Sequence, residues 1–265
     1  MQPPAWTELL PLAGPFLPGH VSLIGAGPGD PLLISIKGAM RLSQADVVLH
    51  DRLANDRLLA LCRPESERIH VGKEGGLHTR PQHEINALMI RHARAGRRVA
   101  RLKGGDPLIF GRGGEECECL IDAGVPFEVI PGITAATAAA ASVGIPLTHR
   151  ERSRSLTLLS GYHPRRIGES EAEPAEPTGR GTVVIYMGVK ELEHNARQLR
   201  DQGWPGDTPA AVVANATLPE QRSVVGTLAD IAGRAAEAGI APPAVILVGE
   251  VVRIHEQPRT PGPAT

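Results

Sequence analysis

The stretch RVARLKGGDPLIFGRGGEE, residues 98–116, decides the fold. Its first five residues predict a short buried strand, and the pattern of residues 113–123 predicts a helix. The turn between them contains closely spaced glycines, which lose much conformational entropy on folding. A purely structural role explains such a turn poorly. The stretch therefore indicates an α/β unit whose strand-to-helix turn is a ligand site.

The same alternation continues on both sides of this turn. Helical spacing of apolar residues predicts helices between short apolar strands. Strands are predicted at 21–24, 46–50, 68–71, 98–102 and 127–130, and helices at 31–42, 81–95, 113–123 and 134–143. This order predicts a parallel sheet covered on both faces, with ligands outside the carboxyl ends of the strands.

A second group of elements predicts a second α/β domain. Strands are predicted at 155–160, 182–187, 210–214, 223–226 and 244–249, and helices at 190–202 and 228–238. We expect two α/β domains, residues 21–147 and 148–256. The Pro-rich ends predict a flexible leader over 1–20 that packs loosely on the body and a flexible tail over 257–265. The acidic, Pro-rich stretch 163–181 predicts a mobile surface loop.

Composition excludes several classes of function. The formal net charge of the 265 residues is -1, so no global attraction to nucleic acid or anionic membranes is expected. No apolar run reaches the roughly 20 residues of a membrane span. The three cysteines suggest neither a disulfide framework nor a zinc site, and free thiols in a reducing cytoplasm are expected.

Glycine-rich or charged turns follow most of the predicted strands of the first domain. GAGPGD, residues 25–30, fits equally a ligand loop and a tight turn, because its third glycine is one position early for a dinucleotide fingerprint. Pro28 also removes a backbone donor. Asp106 can accept hydrogen bonds from a ligand, and Arg112, between glycines, can approach a bulky anion.

Other candidate residues allow a functional and an ordinary interpretation. Asp51 can accept a proton, although its spacing with Arg52 is more typical of a surface salt bridge. Lys73 can donate a proton or anchor a carboxylate, or be merely solvated. Thr134 fits a helix cap, and Met187 fits core packing. A solvated helix end is the favoured interpretation of Arg94, Arg97, Arg98 and Arg101.

Taken together, the turns resemble those of the uroporphyrinogen-III C-methyltransferases. GAGPGD, HDRL, VGK, RLKGGDPLIFGRGGEE, PGITAA and GIPLTHR stand in the order and spacing of that family, across residues 21–254. GAGPGD alone is typical of the wider tetrapyrrole and precorrin methyltransferase superfamily. Two departures are Ala216, where relatives often have glycine, and His50, where many have tyrosine.

The resemblance implies two α/β domains with the methyl donor in a cleft between them, and a cytoplasmic homodimer. It implies transfer of methyl groups from S-adenosyl-L-methionine to C2 and C7 of uroporphyrinogen III, giving precorrin-2 by way of precorrin-1, with S-adenosyl-L-homocysteine as the second product and no metal. The product can serve sirohaem, cobalamin or haem d1 synthesis.

Site residues follow from the resemblance position by position. Asp51 and Lys73 correspond to the proton acceptor and donor. The donor-binding positions are Pro28, Gly104, Gly105, Asp106, Ile109, Thr134, Ala135, Met187 and Ala216. Because the substrate is a polycarboxylate, we expect Arg52, Arg112 and Arg150 to bind it.

Two other classes of function remain as alternatives. One is a sibling methyltransferase that acts on later precorrin rings or on the diphthamide precursor, which HDRL and FGRGGEE disfavour. The other is a dinucleotide-dependent dehydrogenase or nucleotide sensor, which the glycine spacing of residues 25–30 disfavours.

Overall fold

The computed structural model describes residues 14–72, 80–161 and 181–255. The chain divides after Thr134 into two compact units. The predicted domain boundary after Leu147 stays a prediction. The expected tail and Lys73 lie outside the described residues. The expected mobile loop also lies outside them, except for its last residue.

The first unit is a parallel sheet with helices. In chain order its elements are β1 (Val21–Gly25), α1 (Ile36–Gln44), β2 (Val47–His50), β3 (Glu67–His70), α2 (Gln82–Arg94), β4 (Val99–Lys103), α3 (Gly113–Asp122) and β5 (Phe127–Ile130). The strand order is β3-β2-β4-β1-β5, and every pairing is parallel. The carboxyl ends of all five strands therefore meet at one edge.

Both faces of this sheet are buried, as the apolar strands predict. Alternate residues of a strand point to opposite faces. Ile24 and Leu102 pack with Leu42 of α1 on one face, whereas Leu23 packs on the other face with Met89 of α2. The helices thus cover the sheet on two sides and leave its carboxyl edge to the loops.

The end of the predicted leader packs on this unit. Phe16 is buried in the core, and the guanidinium of Arg41 lies 5.4 Å from its ring centroid. Arg41 also donates to the carbonyl of Gly14 at 3.0 Å. Residues 14–20 are therefore held against the body, whereas residues 1–13 lie outside the described residues.

The second unit contains a mixed sheet. Its elements are α4 (Ala135–Ser142), β6 (Leu156–Ser160), β7 (Thr182–Tyr186), α5 (Leu192–Asp201), β8 (Pro209–Ala214), β9 (Arg222–Thr227), α6 (Ile231–Glu237) and β10 (Ala244–Val248). The strand order is β6-β7-β10-β8-β9, with β10 antiparallel to β7 and β8. Since β6, β7 and β8 run in one direction, their carboxyl ends share an edge.

The α/β fold class is confirmed, and nearly every predicted element forms within a few residues of its expected bounds. One helix is different: the predicted helix over 31–42 is a 3-10 turn at Pro31–Leu33 followed by α1. Ser35 caps α1 by accepting from the Gly38 amide at 3.1 Å, so the helix begins later than predicted. Within the described residues, no helix is long and apolar enough to cross a membrane.

Candidate functional site

Three loops at the carboxyl edge of the first sheet contact one another through backbone. Gly27 and Gly105 exchange hydrogen bonds of 3.2 and 2.7 Å. A Cβ on Gly132 would lie 2.2 Å from the Gly105 carbonyl oxygen, so no other residue fits there without movement. The loops after β1, β4 and β5 therefore form one closely packed loop surface, in which Gly27 is buried and Gly105 and Gly132 are half-buried. Pro28, Gly104 and Ile109 are half-buried in it.

Asp106 joins two of these loops. One carboxylate oxygen accepts from the Leu108 amide at 2.9 Å, and the other accepts from the Gly132 amide at 3.0 Å. Each oxygen keeps a further lone pair for a ligand donor. Asp106 thus fixes the shape of the loop surface besides being a candidate ligand contact.

Asp51 follows β2 at the same edge and is partly exposed. Its Oδ1 accepts from Arg101 of β4 at 2.7 Å. The salt bridge that the spacing suggested therefore exists, but its partner is a buried arginine rather than Arg52. Arg52 itself is exposed and has no ionic partner in the described part of the chain. Lys73, the expected proton donor, lies outside that part.

Arg101 belongs to a buried charge network that the sequence did not suggest. Its side chain is 2% exposed, which corrects the expectation of a solvated arginine. Arg101 and Lys103 both donate to Oε1 of Glu116 on α3, at 3.0 and 2.9 Å. Burial and the charge of Arg101 lower the pKa of Lys103, while Glu116 and Asp51 oppose that shift.

The neighbouring arginines are also engaged rather than free. Arg98 forms a two-nitrogen ion pair with Asp46, which sits just before β2. These hydrogen bonds hold the pKa of Asp46 well below its usual range against the effect of burial. Arg97 pairs with Glu67. Three of the four arginines that were expected at a solvated helix end therefore have acidic partners.

Arg112 lies where the glycine-rich turn enters α3. It adopts a left-handed conformation with φ 60° and is over half exposed. Its guanidinium donates two hydrogen bonds, of 2.9 and 2.7 Å, to the carboxylate of Glu115. The helix start therefore presents an arginine whose orientation is already set by an acidic neighbour.

His50 precedes Asp51 and is buried. Its ring packs edge-on against His70 of β3, with centroids 5.1 Å apart. Burial lowers the pKa of His50, and the charge of His70 adds to that shift. A neutral imidazole therefore stands next to Asp51 near neutral pH.

The second unit carries its candidate residues at one edge of its own sheet. Met187 follows β7 with φ 56° and is 54% exposed, so it does not fill the core. Ala216 follows β8 between Asn215 and Thr217, which have φ of 50° and 71°. Left-handed backbone in three non-glycine residues is costly and is typical of functional loops.

The start of α4 lies over the end of β7. The Ala136 amide donates to the Tyr186 hydroxyl at 3.0 Å, which places Ala135 near the strand that carries Met187. Thr134 directly precedes it and is half-buried. Arg150 is exposed in a turn, where its carbonyl accepts from the Arg154 side chain at 3.1 Å.

Neither a disulfide nor a grouped set of metal-ligand side chains is present in the described residues. Cys62, Cys117 and Cys119 are free thiols, as predicted. Across residues 14–72, 80–161 and 181–255, no three His, Cys, Asp or Glu side chains are grouped as a metal site.

Comparison with known proteins agrees with this geometry. Residues 20–232 match the family model of the Tetrapyrrole (Corrin/Porphyrin) Methylases. The chain is 40% identical to the uroporphyrin-III C-methyltransferase of Thermus thermophilus, solved with S-adenosyl homocysteine, at a TM-score of 0.74 and with 89% of this chain and 94% of that chain covered. Cobalt precorrin-4 methyltransferase is 30% identical, with a TM-score of 0.78 over 88% of this chain and 96% of that one.

A longer relative completes the comparison. The siroheme synthase of Acinetobacter baylyi is 49% identical over 240 residues, which are 90% of this chain and 52% of that protein. The chain thus spans about half the length of the curated relatives it matches. It belongs to the tetrapyrrole (corrin/porphyrin) methylases.

Proposed function

We propose that this chain transfers methyl groups from S-adenosyl-L-methionine to C2 and C7 of uroporphyrinogen III, giving precorrin-2 by way of precorrin-1. The observation that carries the proposal is the joined loop surface of Gly27, Gly105 and Gly132, braced by Asp106, in a chain 40% identical to a uroporphyrin-III C-methyltransferase.

The loop surface suits the donor. Small residues let an adenosine lie against backbone, and the spare lone pairs of Asp106 can accept from its polar groups. We assign Pro28, Gly104, Gly105, Asp106, Ile109 and Thr134 of the first unit to donor binding. Ala135, Met187 and Ala216 of the second unit complete that set, and their edge position and left-handed neighbours support the assignment.

The substrate is assigned to the arginines. Exposed guanidiniums bind carboxylates through paired hydrogen bonds, and uroporphyrinogen III is a polycarboxylate. Arg52, Arg112 and Arg150 are exposed, and Arg112 is held in one orientation by Glu115. These three residues therefore account for recognition of the acidic side chains of the macrocycle.

The main task of the protein in this reaction is to align the donor methyl group with the pyrrole carbon. An electron-rich pyrrole carbon attacks the sulfonium methyl in line, so neither a metal nor a covalent intermediate is required. Good alignment lowers such a barrier by up to about 7–11 kcal/mol. A proton must also leave the tetrapyrrole, and we assign Asp51 as its acceptor with Lys73 assisting; a positioned base adds roughly 10²–10⁴-fold.

Anaerobic incubation of the purified chain with uroporphyrinogen III and S-adenosyl-L-methionine tests this function. Mass analysis should show a product with two added methyl groups, and absorbance should show the change of chromophore. If the chain leaves uroporphyrinogen III unmethylated but methylates a later precorrin, it is instead a sibling methyltransferase. The structural similarity to cobalt precorrin-4 methyltransferase makes this the alternative to test.

Calorimetry separates the methyltransferase from a dinucleotide-binding protein. The chain should bind S-adenosyl-L-homocysteine and give no heat with NAD. Binding of NAD alone would assign the glycine loops to a dehydrogenase or nucleotide sensor.

We further infer that the chain works as a homodimer in the cytoplasm. The free thiols of Cys62, Cys117 and Cys119 fit a reducing compartment. Light scattering on a size-exclusion column should give twice the mass of one chain, and a monomer at micromolar concentration would contradict the dimer.

A further inference from the structure

The buried network of Arg101, Lys103 and Glu116 is more elaborate than stability requires. The three side chains are at most 2% exposed, and Glu116 is fully buried. Burying charges costs more in desolvation than their attraction usually returns, so apolar residues of similar size would serve the core at least as well. The network therefore needs another explanation.

Its hydrogen bonds converge on one atom. Oε1 of Glu116 accepts from Arg101, from Lys103 and from Gln82, the last at 3.1 Å. Oε2 of the same carboxylate is buried and has no partner among the described residues. Glu116 therefore joins the two cations, Arg101 and Lys103, through a single carboxylate oxygen.

Arg101 connects this network to the loop edge. Its Nε binds Glu116, and its NH2 group binds Oδ1 of Asp51 at 2.7 Å. A guanidinium is rigid and planar, so fixing one side of it fixes the other. The position of the Asp51 carboxylate is therefore set by the Arg101 guanidinium, which is itself held in place by the buried Glu116.

We propose that Arg101 and Glu116 are positioning residues for Asp51, and that the balance of charge between Glu116 and Lys103 sets the electrostatic field at the Asp51 carboxylate. The proposal rests on the assignment of Asp51 as proton acceptor, which it deepens. Removing the negative charge of Glu116 leaves two cations facing Asp51, which favours the carboxylate. Removing Lys103 has the opposite effect.

The other charged groups near Asp51 stay constant in the test. His50, at the end of β2, interacts electrostatically with Asp51, and it also interacts with Asp56 and with His70 of β3. They are unchanged in every variant, so they do not alter the comparison.

The test is a ¹³C NMR titration of the side-chain carboxylates in the free protein, with the Asp51→Asn spectrum identifying the Asp51 signal. Glu116→Gln should move the titration midpoint of this signal down, and Lys103→Met should move it up. The double variant Glu116→Gln/Lys103→Met should return it close to the parent value. Midpoints unchanged in both single variants would overturn the proposal.

The chain offers a matched control. Glu128 also pairs with one arginine and one lysine, Arg41 and Lys37, but is not linked to Asp51. Glu128→Gln should therefore leave the Asp51 midpoint unchanged, and a shift as large as that of Glu116→Gln would contradict the proposal. If Glu116→Gln does not fold, Lys103→Met alone tests the proposal: an unchanged Asp51 midpoint in this variant would overturn it.

Kinetics provide an independent arm. Arg101→Lys keeps the charge but loses the rigid planar guanidinium that fixes Asp51 relative to Glu116, so kcat should fall about tenfold or more while the tetrapyrrole KM stays constant. A rise of KM alone would contradict a positioning role. The NMR titration needs no substrate, so it tests the charge network independently of the proposed function. If the parent chain transfers no methyl group, the proposed function is refuted, and the NMR result still decides the proposal about the network.

Discussion

Strained backbone marks the loops at which single residues matter most. In the described part of the chain, non-glycine residues with positive φ are Phe110, Arg112, Met187, Asn215 and Thr217. Each lies in a loop that follows the carboxyl end of β4, β7 or β8. Such conformations persist only where surrounding structure enforces them and often mark ligand-binding segments.

Arg112→Ala should raise the tetrapyrrole KM about tenfold or more, because a paired guanidinium–carboxylate contact contributes about 1.5–3 kcal/mol. The affinity for S-adenosyl-L-homocysteine, measured by calorimetry, should stay unchanged. Arg253 is a suitable control, since it forms a similar exposed pair with Glu250 three residues away. Arg253→Ala should leave KM unaltered; equal effects of the two variants would remove Arg112 from the site.

Asp106→Ala should weaken S-adenosyl-L-homocysteine binding about tenfold or more and lower Tm, because two backbone amides lose their charged acceptor. Asp230 provides the comparison, since it accepts from the Thr227 amide at 2.6 Å in a turn of the second unit. Asp230→Ala should lower Tm only. If Asp106→Ala binds the ligand as well as the parent, Asp106 has no part in the donor site.

The chemical types of several site residues could be predicted, but their partners could not. Arg101 and Lys103 alternate within the central strand β4, which forces both onto one buried face. That spacing was an available signal for a buried acidic partner. The identity of the partner, Glu116, depends on how α3 packs, which no local pattern records.

At the level of elements, the described strands and helices followed from apolar spacing, whereas strand direction in the second sheet did not. A short apolar strand such as β10 has the same pattern in either direction. Its antiparallel pairing is set by the connections and the packing around it. The 3-10 turns at Asp56–Leu61 and Glu250–Ile254 were also missed, since three-residue spacing gives little periodic signal.

Gly132→Ala should destabilise the fold by about 2 kcal/mol or more, because its methyl group would meet the Gly105 carbonyl and push two loops apart. Donor binding should weaken with it. Gly233 of α6 has open space around its Cβ position. Gly233→Ala should stabilise by about 0.5–1 kcal/mol. Chemical denaturation measures both, and equal stability of Gly132→Ala and the parent would show that the loops are not held together as described.

On the scale of the whole molecule, Glu128 is one of the carboxylates expected to contribute to stability against acid. Burial raises its pKa, but hydrogen bonds from Arg41, Lys37 and Ser22 outweigh burial and lower the pKa to about 2. A lowered folded-state pKa gives stability that is present above the unfolded value near 4.5 and is lost as pH falls toward 2.

Glu128→Gln should therefore cost up to about 3 kcal/mol of unfolding free energy at pH 7, and the difference from the parent should vanish near pH 2. Urea denaturation across this range measures it. A constant difference at all pH values would show that Glu128 acts through packing rather than charge.

The central claim, methyl transfer to two ring carbons of uroporphyrinogen III, is tested most directly by ¹³C NMR of the product formed from methyl-labelled S-adenosyl-L-methionine. We expect two labelled methyl signals, at C2 and C7, in equal amounts when the donor is in excess. A label at any other position, or an unlabelled macrocycle, would contradict the claim.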